Sequence, residues 1–150
     1  MSGTFTNLLN HIVFSTKNRE NRITDKFAEE LYAYIGGIIR DEGGHLLAAG
    51  GTQNHLHLLV VMPTSIALSD LLRKIKGNSS SWINENNKMS RKFAWQAGYG
   101  AFSVSESSKG EVTRYISNQQ EHHKKLTFKE EFLRFLDKNN IEYDKRYLWE

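Results

Sequence analysis

The apolar run "HLHLLVVM" at residues 55–62 is the feature that most constrains the fold of this chain. A short run rich in leucine and valine, followed by a proline, is typical of a buried β-strand. Alternate side chains of a strand point to opposite faces, so His55 and His57 share one face. The other face carries three apolar residues that can pack on helices: Leu56, Leu58 and Val60.

The remaining segments predict the order β-α-β-β-α-β followed by further helices. We expect strands over 7–16, 45–51, 55–62 and 101–107, and helices over 24–44, 68–87, 109–125 and from Thr127 onward. Thr24 can cap the first helix, and Thr127 and Glu130 have the spacing of a capping box. This order predicts an α+β, ferredoxin-like (split βαβ) antiparallel sheet with helices on one face, plus a C-terminal helix that carries Tyr115.

Composition supports one domain over residues 1–150, because 39% apolar content is enough for a single core. No apolar stretch approaches the roughly 20 residues of a membrane span, and the N-terminus lacks a signal-peptide pattern. The chain has no cysteine, which excludes disulfides and thiolate metal ligands. We therefore expect a cytoplasmic protein. Its net charge of +3 permits an anionic partner without requiring one.

His55 and His57 allow two interpretations. Two imidazoles on one strand face can reach the same metal ion, or they can be ordinary residues at the end of a strand. A second segment, "RYISNQQEHH" at 114–123, also allows two interpretations. At helical spacing Tyr115 and Gln119 lie on one face, with His122 one turn further along. The alternative is an amphipathic helix that buries Ile116 and leaves its glutamines and histidines in solvent.

Together these motifs resemble the single-tyrosine transposases of the HUH superfamily, which include bacterial insertion-sequence transposases and REP-associated tyrosine transposases. The matching segments are "HLH", "YISNQ", "KIKGNSSSWIN", "WQAGYGAFSVS" and "EHHKKLTFKEEFLRFL". One departure is Gln53, where family members often have a proline two residues before the first histidine.

The resemblance implies that Tyr115 attacks a phosphodiester in single-stranded DNA, giving a 5′-phosphotyrosine and a free 3′-hydroxyl before strand transfer. It also implies that His55, His57 and Gln119 hold Mg²⁺ or Mn²⁺. His122 is the alternative third ligand. His123 is the less suitable one, because it lies about 80° around the helix from Tyr115.

Hairpin-containing single-stranded DNA is the partner that the resemblance implies. Arg73, Lys74 and Lys76 could bind its phosphates, or they could form a solvated helix face. Three aromatic residues could stack on bases or belong to the core: Trp95, Tyr99 and Phe102. We expect a homodimer, with "KGEV" at 109–112 as a hinge for exchanging the tyrosine helix, although some relatives act as monomers.

Two other functions remain compatible with the motifs taken singly. A non-catalytic domain that binds single-stranded nucleic acid would not need Tyr115 or a metal. A metal-dependent phosphoester hydrolase would use water as the nucleophile and form no covalent DNA adduct. Neither function explains a tyrosine placed one helical turn from a metal ligand.

Overall fold

The computed structural model describes residues 3–86 and 91–149. Its strands are β1 (Leu9–Ser15), β2 (His45–Gly51), β3 (His55–Val61) and β4 (Gly100–Val104). Its α-helices are α1 (Asp25–Asp41), α2 (Leu68–Asn86), α3 (Lys109–Ser117), α4 (Gln119–His122) and α5 (Phe128–Lys138). Across these two described ranges, no helix combines the length and apolarity needed to cross a membrane.

The four strands form one antiparallel sheet in the order β2-β3-β1-β4. This is the expected split βαβ arrangement, in which β1 and β3 are central. Val13 of β1 pairs with His57 of β3, and Ser15 pairs with His55. The two central strands therefore hold the histidine pair in the middle of the sheet, where backbone hydrogen bonds on both sides fix its position.

Helices α1 and α2 cover one face of the sheet and create the larger core. Leu56, Leu58 and Val60 are fully buried there, as their alternation with the histidines predicts. The apolar stripe of α1 packs on them through Phe27, Leu31, Ile35 and Ile39. Ile38, the residue before Ile39, is half-buried.

Helices α3, α4 and α5 cover the opposite face, which carries the histidines. Ile116 of α3 packs on Leu9 and Leu59, and Phe128 and Phe132 of α5 pack with Val13. Thr127 caps α5 through the expected capping box with Glu130, which fixes where this helix begins. The sheet therefore has helices on both faces, and the histidine pair is enclosed between β3 and the C-terminal helices.

Two predicted segments differ from the structure. The expected strand over 101–107 ends at Val104, and the expected helix over 109–125 is divided at Asn118 into α3 and α4. Asn118 has φ −105° and ψ 23°, which lies outside the helical region, so the chain changes direction there. The last residue of the predicted 68–87 helix lies outside the described residues.

Gly50 allows α3 to lie directly on β2. A Cβ at this position would overlap the carbonyl oxygen of Ile116, which is backbone and cannot rotate away. We expect Gly50→Ala to lower the free energy of unfolding by about 1–3 kcal/mol, because the helix must move off the strand. Urea denaturation measures this change.

Gly77 provides the matched control. It lies inside α2, and no atom stands within 4 Å of the place that a Cβ would occupy, so an added methyl group meets open space. We expect Gly77→Ala to raise the free energy of unfolding by up to about 1 kcal/mol, since alanine favours helix. Equal effects of the two substitutions would contradict the close approach of α3 to β2.

Candidate metal and nucleophile site

His55 and His57 are both completely buried under the C-terminal helices. Their Nε2 atoms face the same point: that of His57 lies 2.8 Å and that of His55 3.6 Å from Oε1 of Glu131. The two rings are 5.2 Å apart, centroid to centroid. The expectation that alternation directs both imidazoles to one place is confirmed by this geometry.

The loop before β3 orients His55. Its Nδ1 lies 2.7 Å from Oδ1 of Asn54 and 3.0 Å from Oγ1 of Thr52. The amide nitrogen of Asn54 donates to the carbonyl oxygen of Arg19, so the amide oxygen is the atom that faces the imidazole. His55 therefore carries its proton on Nδ1, and the lone pair of Nε2 is directed into the site.

Gln119 presents an oxygen to the same point. Its Oε1 lies 3.2 Å from Nε2 of His55, while its Nε2 donates to the backbone carbonyl of Tyr115. Because the amide nitrogen is engaged with the helix, the oxygen is the atom directed at the histidines. The structure thus brings together the three residues expected from the sequence to hold a metal.

His123 also enters the site, although the sequence favoured His122 of the two adjacent histidines. Its Nε2 lies 2.9 Å from Oε1 of Gln119, and its Nδ1 donates to the carbonyl oxygen of Leu126. The break at Asn118 removes the continuous helical phase on which the 80° separation depended. His122, the expected alternative ligand, instead places its Nε2 3.1 Å from the hydroxyl of Tyr115.

Glu131 of α5 completes the cluster and was not expected from the sequence. Its Oε1 accepts from Nε2 of His57 and lies 3.2 Å from Nε2 of His123. Its Oε2 accepts a hydrogen bond from the hydroxyl of Tyr115. One buried carboxylate therefore connects the histidine pair to the tyrosine.

Tyr115 lies at the edge of the cluster, half-buried, and faces a recess of about 300 Å³. The charged residues that also line the recess are Arg134, Lys138, Glu111 and Glu131. Burial and the hydrogen bond to the Glu131 carboxylate both raise the pKa of Tyr115 above its ordinary value. In this arrangement the tyrosine is protonated and is held close to the histidine pair.

The two strand histidines are neutral. Burial, followed by the proximity of His57, lowers the pKa of His55 to about 3, and burial also lowers the pKa of His57. Burial acts to raise the pKa of Glu131, but hydrogen bonds from His123 and His57 outweigh it and hold that pKa below its ordinary value. The cluster therefore combines the neutral imidazoles of His55 and His57 with an ionised carboxylate.

These donors fit a divalent cation. One ligand atom from each of four residues lies within 4.8 Å of the others: His55, His57, His123 and Glu131. The oxygen of Gln119 adjoins them. His55 directs an unprotonated Nε2 toward Glu131 and Gln119, so a nitrogen lone pair and two oxygens converge there without a hydrogen between them. A cation satisfies such a donor set, and imidazole with carboxylate and amide oxygens suits Mn²⁺ and related ions.

The three expected DNA-binding cations lie on α2, on the opposite side of the sheet from the histidines. Arg73 is largely exposed and pairs with Asp70, and Lys74 pairs with Glu42. Lys76 donates to the backbone carbonyls of Gln96 and Gly98, and burial lowers its pKa to about 8. Lys76 thus holds the 96–98 loop against α2.

The three aromatic residues considered for base stacking differ in how deeply they are buried. Trp95 is buried in the core, where its indole N–H donates to the hydroxyl of Ser79, and Phe102 is buried beside Val13. Tyr99 is half-buried and lines a recess on α2 together with Arg73 and Lys76. Trp95 lines the same recess, and Tyr99 is the least buried of the three.

A sequence signal for Glu131 does exist. Residues 128, 131, 132 and 135 follow the i, i+3, i+4, i+7 spacing of a buried helix face, and Glu131 is the one charged member among phenylalanines. A carboxylate on such a stripe needs a buried partner. His11, on the histidine face of β1, is a second site residue that no sequence motif indicated.

Comparison with known proteins identifies the family of this chain and relatives of it. Residues 4–119 match the family of IS200-like transposases. The ISDra2 transposase TnpA of Deinococcus radiodurans is 22% identical over 116 residues, covering 74% of this chain and 83% of that protein.

Two solved structures share the fold. A protein assigned as a transposase from Deinococcus radiodurans has a TM-score of 0.63 and 24% identity, covering 79% of this chain and 95% of the other. A REP-associated tyrosine transposase bound to a REP hairpin has a TM-score of 0.57 and 16% identity, covering 77% of this chain and 70% of the other.

The buried histidines predict that the metal-free protein loses stability on acidification. The pKa of His55 is about 3 in the folded chain against about 6.5 when unfolded, so the unfolded chain binds the extra proton below pH 6.5. The free energy of unfolding should therefore fall as pH decreases from 6.5 to 5, by about 1.4 kcal/mol per pH unit for each such histidine. Urea denaturation in chelator at pH 7.5, 6.5 and 5.0 measures the slope.

The variant His55→Gln serves as the control for that slope. It removes one titrating imidazole, so the decrease in the free energy of unfolding between pH 6.5 and pH 5 should become smaller by about 1.4 kcal/mol per pH unit. A wild-type protein whose stability is the same at pH 7.5 and pH 5.0 would show that these histidines are not buried in the neutral form.

Proposed function

The chain belongs to the IS200-like transposase family and is a transposase, and from this premise we propose that Tyr115 is its nucleophile. In the proposed reaction Tyr115 attacks a phosphodiester of single-stranded DNA, forming a 5′-phosphotyrosine and releasing a 3′-hydroxyl. A second 3′-hydroxyl then attacks the phosphotyrosine, which joins the strands and frees the tyrosine.

One observation carries this proposal: Tyr115 and His57 bind the two oxygens of the same buried carboxylate, Glu131. A tyrosine that served only to pack α3 would have no reason to reach a cluster of metal-ligand atoms. The proximity of nucleophile and ligands within one chain supports a site that is complete in a single subunit. A homodimer stays our expectation for the working form, although residues 109–112, the expected hinge, form the first turn of α3.

The proton of Tyr115 has two acceptors within reach. Oε2 of Glu131 already accepts from the tyrosine hydroxyl, and Nε2 of His122 lies 3.1 Å from it. When the tyrosine oxygen bonds to phosphorus, the bond from phosphorus to the 3′-oxygen breaks, and the displaced proton can pass to that oxygen. We propose that Glu131 and His122 hold the tyrosine proton until it passes to the 3′-oxygen.

His55, His57 and Gln119 are the proposed ligands of a divalent cation, and we add His123 and Glu131. When bound, Mg²⁺ or Mn²⁺ would neutralise charge on a non-bridging phosphate oxygen and so favour attack by a phenolic oxygen. The additional imidazole brings the number of nitrogen donors to three, which favours Mn²⁺ over Mg²⁺. The protein's own contribution is to fix the ligands and to exclude bulk water.

We propose that the DNA partner contains a hairpin next to the cleaved strand. A REP hairpin is bound to one protein of the same fold, which supports this choice. Arg134 and Lys138 on the rim of the Tyr115 recess can bind the backbone beside the scissile phosphate. Arg73, Lys74 and Tyr99 on the α2 side remain the proposed contacts for more distant DNA, while Lys76 contributes mainly through the loop that it holds.

Covalent trapping tests the nucleophile. End-labelled single-stranded DNA from the regions flanking the gene is incubated with protein and Mn²⁺, and adducts are resolved under denaturing conditions. We expect an adduct on the 3′-side fragment that chelator abolishes. Tyr115→Phe should reduce adduct formation by at least about 10³-fold, because the attacking oxygen is lost while the ring and its packing remain.

Tyr34→Phe is the matched control for trapping. Tyr34 stacks on Trp82 far from the histidines, so losing its hydroxyl should leave adduct formation unchanged. Undiminished cleavage by Tyr115→Phe would overturn the assignment and favour water as the nucleophile.

A further inference from the structure

His11 is a buried imidazole with a direct contact to the histidine pair. It lies on β1, only 3% exposed, and its Nε2 is 2.8 Å from Nδ1 of His57. The edge of its ring meets Phe135 of α5 at 5.0 Å between centroids, which holds the ring in place. The reaction proposed above assigns no step to this residue.

The three histidines of the metal cluster differ in the group that contacts Nδ1, the ring nitrogen that points away from the cluster. Nδ1 of His55 faces an amide oxygen, and Nδ1 of His123 faces a backbone carbonyl. Both acceptors are fixed as oxygens, so both histidines keep a proton on Nδ1, and Nε2 is the nitrogen that each can offer to a cation. Only His57, among these three, has another imidazole at Nδ1.

The tautomer of His57 therefore depends on His11. In the metal-free arrangement Nε2–H of His57 donates to Glu131, so its Nδ1 must accept from Nε2–H of His11. For Nε2 of His57 to bind a cation, its proton must lie on Nδ1, and Nε2 of His11 must then accept. Each ring keeps one proton in both arrangements, so the change is an exchange of tautomers in both rings.

We propose that His11 is a positioning residue that accepts a hydrogen bond from Nδ1 of His57 and thereby frees Nε2 of His57 for the divalent cation. This inference rests on the metal site of the proposed function. Burial and the neighbouring His57 lower the pKa of His11 to about 3, so the ring is neutral and can act as the acceptor. A protonated His11 could only donate, and it would hold His57 in the wrong tautomer.

Metal affinity tests the role without relying on catalysis. Binding of Mn²⁺ is followed by the loss of the free-ion electron paramagnetic resonance signal in wild type, His11→Leu and His11→Gln. We expect His11→Leu to weaken Mn²⁺ binding about 10- to 100-fold, because leucine cannot accept from Nδ1. His11→Gln should recover most of the affinity, since its amide oxygen can accept.

The outcomes separate this inference from the metal site itself. Wild-type affinity in His11→Leu, or equal losses in both variants, would overturn the role of His11 while leaving the metal site intact. Absence of Mn²⁺ binding by the wild-type protein would overturn both. His55→Ala, which removes a proposed ligand, provides the reference for a damaged site.

Nitrogen NMR of the wild-type protein gives a second test that does not depend on a variant folding. With ¹⁵N-labelled histidine and saturating Mg²⁺, we expect His57 to be protonated on Nδ1 and His11 on Nδ1 as well. In chelator both rings should carry the proton on Nε2. A tautomer of His11 that is the same with and without Mg²⁺ would contradict the proposal.

Discussion

The interaction on which the site depends is the hydrogen bond between the buried carboxylate of Glu131 and His57. It joins α5 to the central strand β3, and through its second oxygen Glu131 also holds Tyr115. Burying a carboxylate is costly unless charged or hydrogen-bonding partners compensate. Here the partners come from β3, α3 and the turn after α4, so three separate segments are fixed relative to one another by one side chain.

This arrangement explains why the second face of the sheet is covered. The first face is closed by an apolar core under α1 and α2, but the histidine face cannot be closed by apolar packing alone. Phe128 and Phe132 supply the apolar contacts, and Glu131 between them satisfies the imidazoles. The same helix therefore contributes both to the apolar core and to the candidate metal site.

Much of this organisation could be predicted from the sequence, because it follows local periodicity. Strand alternation places His55 and His57 together, and the capping box marks the start of α5 at Thr127. The positions of His123 and Glu131 could not be predicted in the same way. The position of His123 depends on the helix break at Asn118, and no glycine or proline in the sequence predicts that break. The position of Glu131 depends on which face of the sheet α5 covers. Both are consequences of tertiary packing.

Crystallography of the protein grown or soaked with Mn²⁺, with data collected for anomalous scattering, shows directly where a cation binds. The proposed metal site predicts one strong anomalous peak within coordination distance of Nε2 of His55 and Nε2 of His57, with an oxygen of Glu131 or Gln119 beside it. At saturating Mn²⁺, an intact hydrogen bond between His57 and Glu131 and no peak between the histidines would contradict it.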